Sequence, residues 1–189
     1  FNFENSLVND LEYRIPKKIV EIIKKKNSNI SLGSILDLGC GTGLIGDEIK
    51  NYCTRLDGVD LSKLMLQKAK EKKIYNKLNH TDIIEFLTNE NLEYNYFIAA
   101  DVFVYIGDLS EVFKHIKFRN KFNGKFIFTT QHIEKEEFIL EESGKYSHSK
   151  QYVEKLCKKY DYSVIHFEKT KLRKEFGKFI IGGLYFLDF

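Results

Sequence analysis

Two hydrophobic periods alternate along this chain. Short apolar runs that close on an aspartate or a glycine suit buried strands, and stretches with an apolar residue every three or four positions suit one face of a helix. Ile15, Ile19, Ile22 and Ile23 form one helical stripe, opened by Pro16 and running to about Lys26. The stretch Phe3 to Tyr13 before it reads as another helix. Ser34–Leu38 reads as a strand that enters a glycine turn and then a helix over Leu44–Tyr52. Leu56–Val59 is a second strand. Ser62 can cap the helix after it, with Leu61, Leu64, Met65 and Ala69 on one face. His80 to Asp82 closes a weak third strand, and a short helix runs through Leu87. Tyr96–Ala100 is a fourth strand, 108–118 a helix, and 125–130 a fifth strand after the Asn123-Gly124 turn.

The last third of the chain is less regular. Residues 131–148 keep no period and read as an insertion or lid. Tyr152, Val153, Leu156, Cys157 and Tyr160 form a helical stripe. Tyr162–Phe167 and Phe179–Phe189 read as two strands with a basic link. No helix fits between them, so they should pair as an antiparallel hairpin. The alternation predicts an α/β fold in one domain, residues 1–189, with N-terminal helices in 1–30 lying over the site. Its sheet is doubly wound and seven-stranded, mainly parallel with an antiparallel last strand.

Composition narrows the function classes. The 189 residues, 43% hydrophobic and 30% charged, suit a globular core. No apolar run reaches the roughly 18–20 residues of a membrane span, and no leader is visible. Cys40, Cys53 and Cys157 form no CxxC pair, which disfavours a disulfide scaffold or cysteine-caged zinc and fits a reduced cytoplasm. No two of the five histidines have metal spacing in a regular element, so no metal is expected. The net charge is only +3, with lysines scattered near helix ends, which disfavours nucleic acid as a partner.

The strongest chemical signal is Ile35-Leu36-Asp37-Leu38-Gly39-Cys40-Gly41-Thr42-Gly43. A strand that opens into a helix through close glycines lets the backbone approach a ligand and points helix N–H groups at it. Asp60, 21 residues after Gly39, ends the next strand, where a carboxylate can accept both hydroxyls of a ribose. Gly41-x-Gly43-x-x-Gly46 also matches the dinucleotide fingerprint, a weak signal alone. Asp37 argues against NAD, because an acid at the strand mouth repels a pyrophosphate and suits a cationic ligand. The late hairpin, with no substrate domain after it, argues the same way.

These residues resemble the class I S-adenosylmethionine-dependent methyltransferases. Asp37 to Gly43 is similar to their first motif, Gly58-Val59-Asp60-Leu61-Ser62 with Met65-Leu66 to the second, and Thr81-Asp82-Ile83 to the adenine-binding third. The resemblance covers about residues 10–130, and the final hairpin suits the family's topology. Ala99 to Leu109, Ser143 to Ser149 and Leu172 to Glu175 further resemble small methyltransferases found alone or fused to tetratricopeptide repeats, and more distantly the Williams–Beuren-region methyltransferase-like proteins. Lys145 and Gln131 depart from Arg and Glu in that pattern.

The resemblance implies S-adenosylmethionine as cofactor, with S-adenosylhomocysteine as product. Gly39, Gly41 and Gly43 would pass its methionine and ribose, Asp60 and Leu61 would hold the ribose side, and Asp82 and Ile83 the adenine. Met65, Ala100 and Asp101 would border it, with Cys40 as small apolar filler. Tyr13 and Arg14 would belong to an N-terminal segment closing over the cofactor. Tyr105, His132, Tyr146 and His148 are candidates for a general base, needed only where the acceptor is protonated at neutral pH. No Asn/Asp-Pro-Pro-Tyr follows the fourth strand and no Pro-Cys nucleophile exists. A small-molecule acceptor is therefore expected first and a protein acceptor second. A cofactor-binding domain without catalysis is the remaining alternative.

Overall fold

The computed structural model describes residues 12–26, 31–175 and 177–189. The helix expected over Phe3–Tyr13 falls almost wholly outside them. Helix α1 (Ile15–Lys26) leads to β1 (Ser34–Leu38), α2 (Leu44–Ile49), β2 (Arg55–Asp60), α3 (Lys63–Glu71), β3 (Lys77–His80), α4 (Ile83–Asn89), β4 (Tyr96–Ala99), α5 (Ser110–Arg119) and β5 (Lys125–Ile133). Then come β6 (Phe138–Leu140), β7 (Tyr146–Ser149), α6 (Lys150–Tyr160), β8 (Ser163–Glu175) and β9 (Lys178–Asp188).

The strands β3-β2-β1-β4-β5 are parallel neighbours in that order. The order reverses about β1, and helices cover both faces of the sheet. Residues of β1, β4 and β5 are buried on both faces, which is why these strands read as unbroken apolar runs. Leu36, Leu38, Phe97, Ala99, Phe126 and Phe128 pack with α4, α5 and α6. Ile35, Tyr96, Ile98 and Ile127 face the other way, against α1 and α2. Each such Leu, Ile or Phe side chain contributes about 1.5–3 kcal/mol by leaving water.

β9 pairs antiparallel with β5 from Lys125 to Gln131, and β8 pairs antiparallel with β9. These seven strands are the sheet expected from the sequence. Among the described residues the strand count is nine, because two further strands begin within 131–148, the stretch whose lack of period suggests an irregular lid. There β5 continues to Ile133, β7 pairs in parallel with its last three residues, and β6 closes an antiparallel hairpin on β7. These strands are three and four residues long, too short to display a period. The basic link is strand as well, since β8 reaches Glu175. Leu61, which precedes α3, and Leu64 on it are 69% and 60% exposed rather than packed, and Leu66 and Ala69 take the buried face. No helix among the described residues is long and apolar enough to cross a membrane.

Candidate active site

The carboxyl ends of β1, β2 and β4 surround a cleft made of two adjoining cavities. One, of about 450 Å³, is lined by Tyr13, Asp37, Gly39, Cys40, Gly41, Asp60, Met65, Ala100, Asp101 and Tyr105, together with Lys145, Arg173 and Glu175. The other, of about 480 Å³, is lined by Asp60, Leu61, Asp82, Ile83, Tyr105 and Ile106. Gly39, Asp60, Ser62, Val102 and Tyr105 belong to both walls. Each volume falls within the usual size of a small-molecule site.

The glycine turn is built for close approach. Gly39, Gly41 and Gly43 have φ of 68°, 53° and 89°, the left-handed region that a side chain disfavours. A Cβ at Gly39 would lie 2.4 Å from Val102 Cγ2, whereas one at Gly41 would meet nothing within 4 Å. Gly41 is thus bare toward the cleft. Its N–H donates to Asp60 Oδ2 at 2.8 Å, and the N–H of Ser62 donates to Asp60 Oδ1 at 2.7 Å. Asp60 therefore ties the turn to the end of β2 while facing both cavities. Cys40 fills the floor with its thiol pushed up by burial, which suits packing rather than reactivity.

Asp37 is 1% exposed and accepts a bond from the Tyr75 hydroxyl at 2.6 Å. Burial raises its carboxyl to about 7, against the lowering effect of the Tyr75 bond. A buried carboxylate with one neutral donor favours a cationic neighbour. Tyr75 also packs against the glycine turn, close to Gly43 and Gly46. The sequence reading missed Tyr75, since a tyrosine in a helix–strand connection carries no motif.

Asp82 caps α4, its Oδ1 accepting from the N–H groups of Ile84 and Glu85, and lines the second cavity at the same time. Asp101 has φ 58°, uncommon outside glycine. That geometry is held by its N–H donating to Thr129 Oγ1 at 2.8 Å and by an ion pair between its carboxylate and Arg173. Arg173, Glu175 and Lys145 lie in the resembling segments, but their local sequence marks no site role. The topology brings β8 and the loop before β7 to the end of β4, which sequence distance conceals.

Among the four candidate bases only Tyr105 lines the cleft, 69% exposed at its mouth. His148 is fully buried, its Nε2 2.8 Å from the Gly107 carbonyl, and burial lowers its pKa. His132 has a 6% exposed side chain with Nε2 3.3 Å from Glu134. Tyr146 packs on Gly107 and Phe138. None of these three lines either cavity. Arg14 is exposed and likewise outside their walls, although Tyr13 lines the first.

The donor set fits S-adenosylmethionine. It offers a bare glycine turn, a carboxylate for a ribose diol, a second acid beside an apolar wall, and a buried acid that prefers a cation. Residues 36–126 match the model of a methyltransferase domain. The chain is 33% identical over 101 residues to malonyl-[acyl-carrier protein] O-methyltransferase 1 of Ilyobacter polytropus, covering 51% of this chain and 37% of that one. It is 30% identical over 133 residues to the malonyl-[acyl-carrier protein] O-methyltransferase of Halalkalibacterium halodurans, covering 65% and 49%. The chain thus spans less than half the length of either relative. Among solved structures, a S-adenosylmethionine-dependent methyltransferase from Clostridium acetobutylicum superposes with TM-score 0.71 at 19% identity, covering 97% of this chain and 95% of that one. Magnesium protoporphyrin IX methyltransferase from Synechocystis PCC 6803, with bound SAM, superposes with TM-score 0.72 at 15% identity, covering 100% and 84%. At these identities the likeness is one of fold.

Proposed function

We propose that this chain is a class I S-adenosylmethionine-dependent methyltransferase and that it methylates a small molecule. One observation carries the reading. The bare Gly41, the doubly bonded Asp60 and the buried Asp37 face one cavity that is continuous with residues of the late hairpin. The first three suit a nucleoside with a cationic amino-acid tail. A second, smaller molecule would sit on the hairpin side of the same cavity, against Arg173 and Glu175. The names of the relatives, a malonyl-[acyl-carrier protein] and a magnesium protoporphyrin enzyme, support acceptors outside nucleic acid.

When bound, the cofactor supplies a methyl group on a sulfonium, a good leaving group. The protein then contributes mainly position, which is worth up to about 7–11 kcal/mol of a bimolecular barrier. Asp60 would hold the ribose hydroxyls, Asp82 and Ile83 the adenine, and Asp37 the cationic end of the tail. Met65 and Val102 would exclude water from the apolar wall. Tyr105, at the mouth, is the candidate that could take a proton from an acceptor. An acceptor screen against metabolite pools, read by product mass and homocysteine-nucleoside release, tests the reading. A mass gain of one methylene in a small molecule is the expected result. Methylation only of added protein, or none with tight cofactor binding, would refute it.

A further inference from the structure

Arg173 is one of only four arginines against 26 lysines, and it is 4% exposed. It stands at a register irregularity of β8, where pairing with β9 shifts between Lys171 and Arg173. Such a bulge re-aims side chains and is common beside functional sites. Here Leu172 and Arg173 are buried in succession, with Leu172 pressed onto Gly182. The Arg173 Nε donates to Glu175 Oε1 at 2.6 Å, and Nη1 donates to Asp101. Glu175 also accepts from Lys145. All four side chains line the cavity. Nη2 is buried and has no hydrogen-bond partner among the described residues.

A guanidinium stays protonated, so a buried N–H without an acceptor is unfavourable until an oxygen reaches it. Asp37, the glycine turn and Asp60 lie on β1, β2 and the turn after β1. The Arg173 group comes instead from the end of β4, the loop before β7, and β8. The Arg173 group thus comes from elements other than those that carry the glycine turn and Asp60, with Asp101 the member shared with the expected cofactor border. A carboxylate suits the position best. It makes charge-assisted bonds with planar N–H groups, and the fixed pairs to Asp101 and Glu175 prevent the guanidinium from swinging away.

We propose that Arg173 is a carboxylate seat for the methyl acceptor, so that the substrates are small carboxylic acids bound through Nη2. This rests on the methyltransferase reading above. The test uses the full chain saturated with S-adenosylhomocysteine, titrated with propionate, hexanoate and benzoate and with their primary amides. At least one acid should bind about tenfold or more tighter than its amide, and Arg173→Lys should abolish that preference. Affinities of Arg173→Lys for S-adenosylhomocysteine and for 5′-methylthioadenosine should stay within about twofold of native, which also certifies a folded site. Arg173→Gln serves as a second variant, with thermal unfolding recorded for both. No acid preferred over its amide, or a preference that survives in a folded variant, overturns the proposal. So does a loss of S-adenosylhomocysteine affinity with 5′-methylthioadenosine unaffected, which would give the guanidinium to the cofactor's own carboxylate. A native chain that binds neither nucleoside sinks the methyltransferase reading first and this proposal with it.

Discussion

Replacing Asp37 with Asn should make the ligand-free protein more stable and the site worse. The native carboxyl is 1% exposed, and burial moves it from 3.8 to about 7. The folded chain therefore holds this proton more tightly than the unfolded chain does. The stability contributed by the protonated group is full below 3.8, falls as pH climbs to about 7, and is level beyond. About three pH units correspond to about 4 kcal/mol at the plateau. An Asn at this position never ionises, and its amide oxygen can still accept from Tyr75, which now lies 2.6 Å from Oδ2. Urea unfolding of the two proteins should match near pH 4 and diverge toward pH 8, with the variant up to about 4 kcal/mol more stable. At pH 8 the variant should lose about 10–100-fold in S-adenosylhomocysteine affinity, because a neutral amide cannot offset the cationic tail. A variant less stable than native at pH 8, or one that binds as tightly, would refute the reasoning.

Asp60→Ala removes the acceptor of the Gly41 and Ser62 N–H groups and, on the proposed reading, of a ribose diol, and calorimetry should show cofactor binding weakened by about 2–4 kcal/mol. Gly41→Ala should cost little stability, about 1 kcal/mol, but reduce cofactor affinity, since its methyl enters open space at the cleft. Gly39→Ala should destabilise the fold by about 2–4 kcal/mol in urea titrations, since it adds a clash with Val102 to the same backbone strain. His148→Ala, which empties a buried site and strands the Gly107 carbonyl, should cost about 2–4 kcal/mol of stability and leave S-adenosylhomocysteine affinity unchanged.

The parts of this fold that the sequence reveals are those that local physics decides. β1, β4 and β5 are apolar runs because both faces are buried, and the turn after β1 shows its need for positive φ in three glycines. Ser62 caps α3 as expected, accepting from the Met65 N–H. Long-range pairing is less visible. β6 and β7 are too short for a period, and their partners lie on β5 and on each other. His148 reads as a reactive residue in a loop, yet the ladder with His132 buries it. Arg173 and Asp101 are 72 positions apart, and only the folded sheet makes them an ion pair. Tyr75 acts through Asp37, so nothing in its own neighbourhood marks it.

On the proposed function the paired cavities bind S-adenosylmethionine. The most direct test is calorimetry of the full chain with S-adenosylmethionine, S-adenosylhomocysteine and NAD under one buffer. Saturable one-to-one binding of the first two, each tighter than NAD, is expected. Tighter binding of NAD, or no binding of either nucleoside by a folded chain, would contradict it.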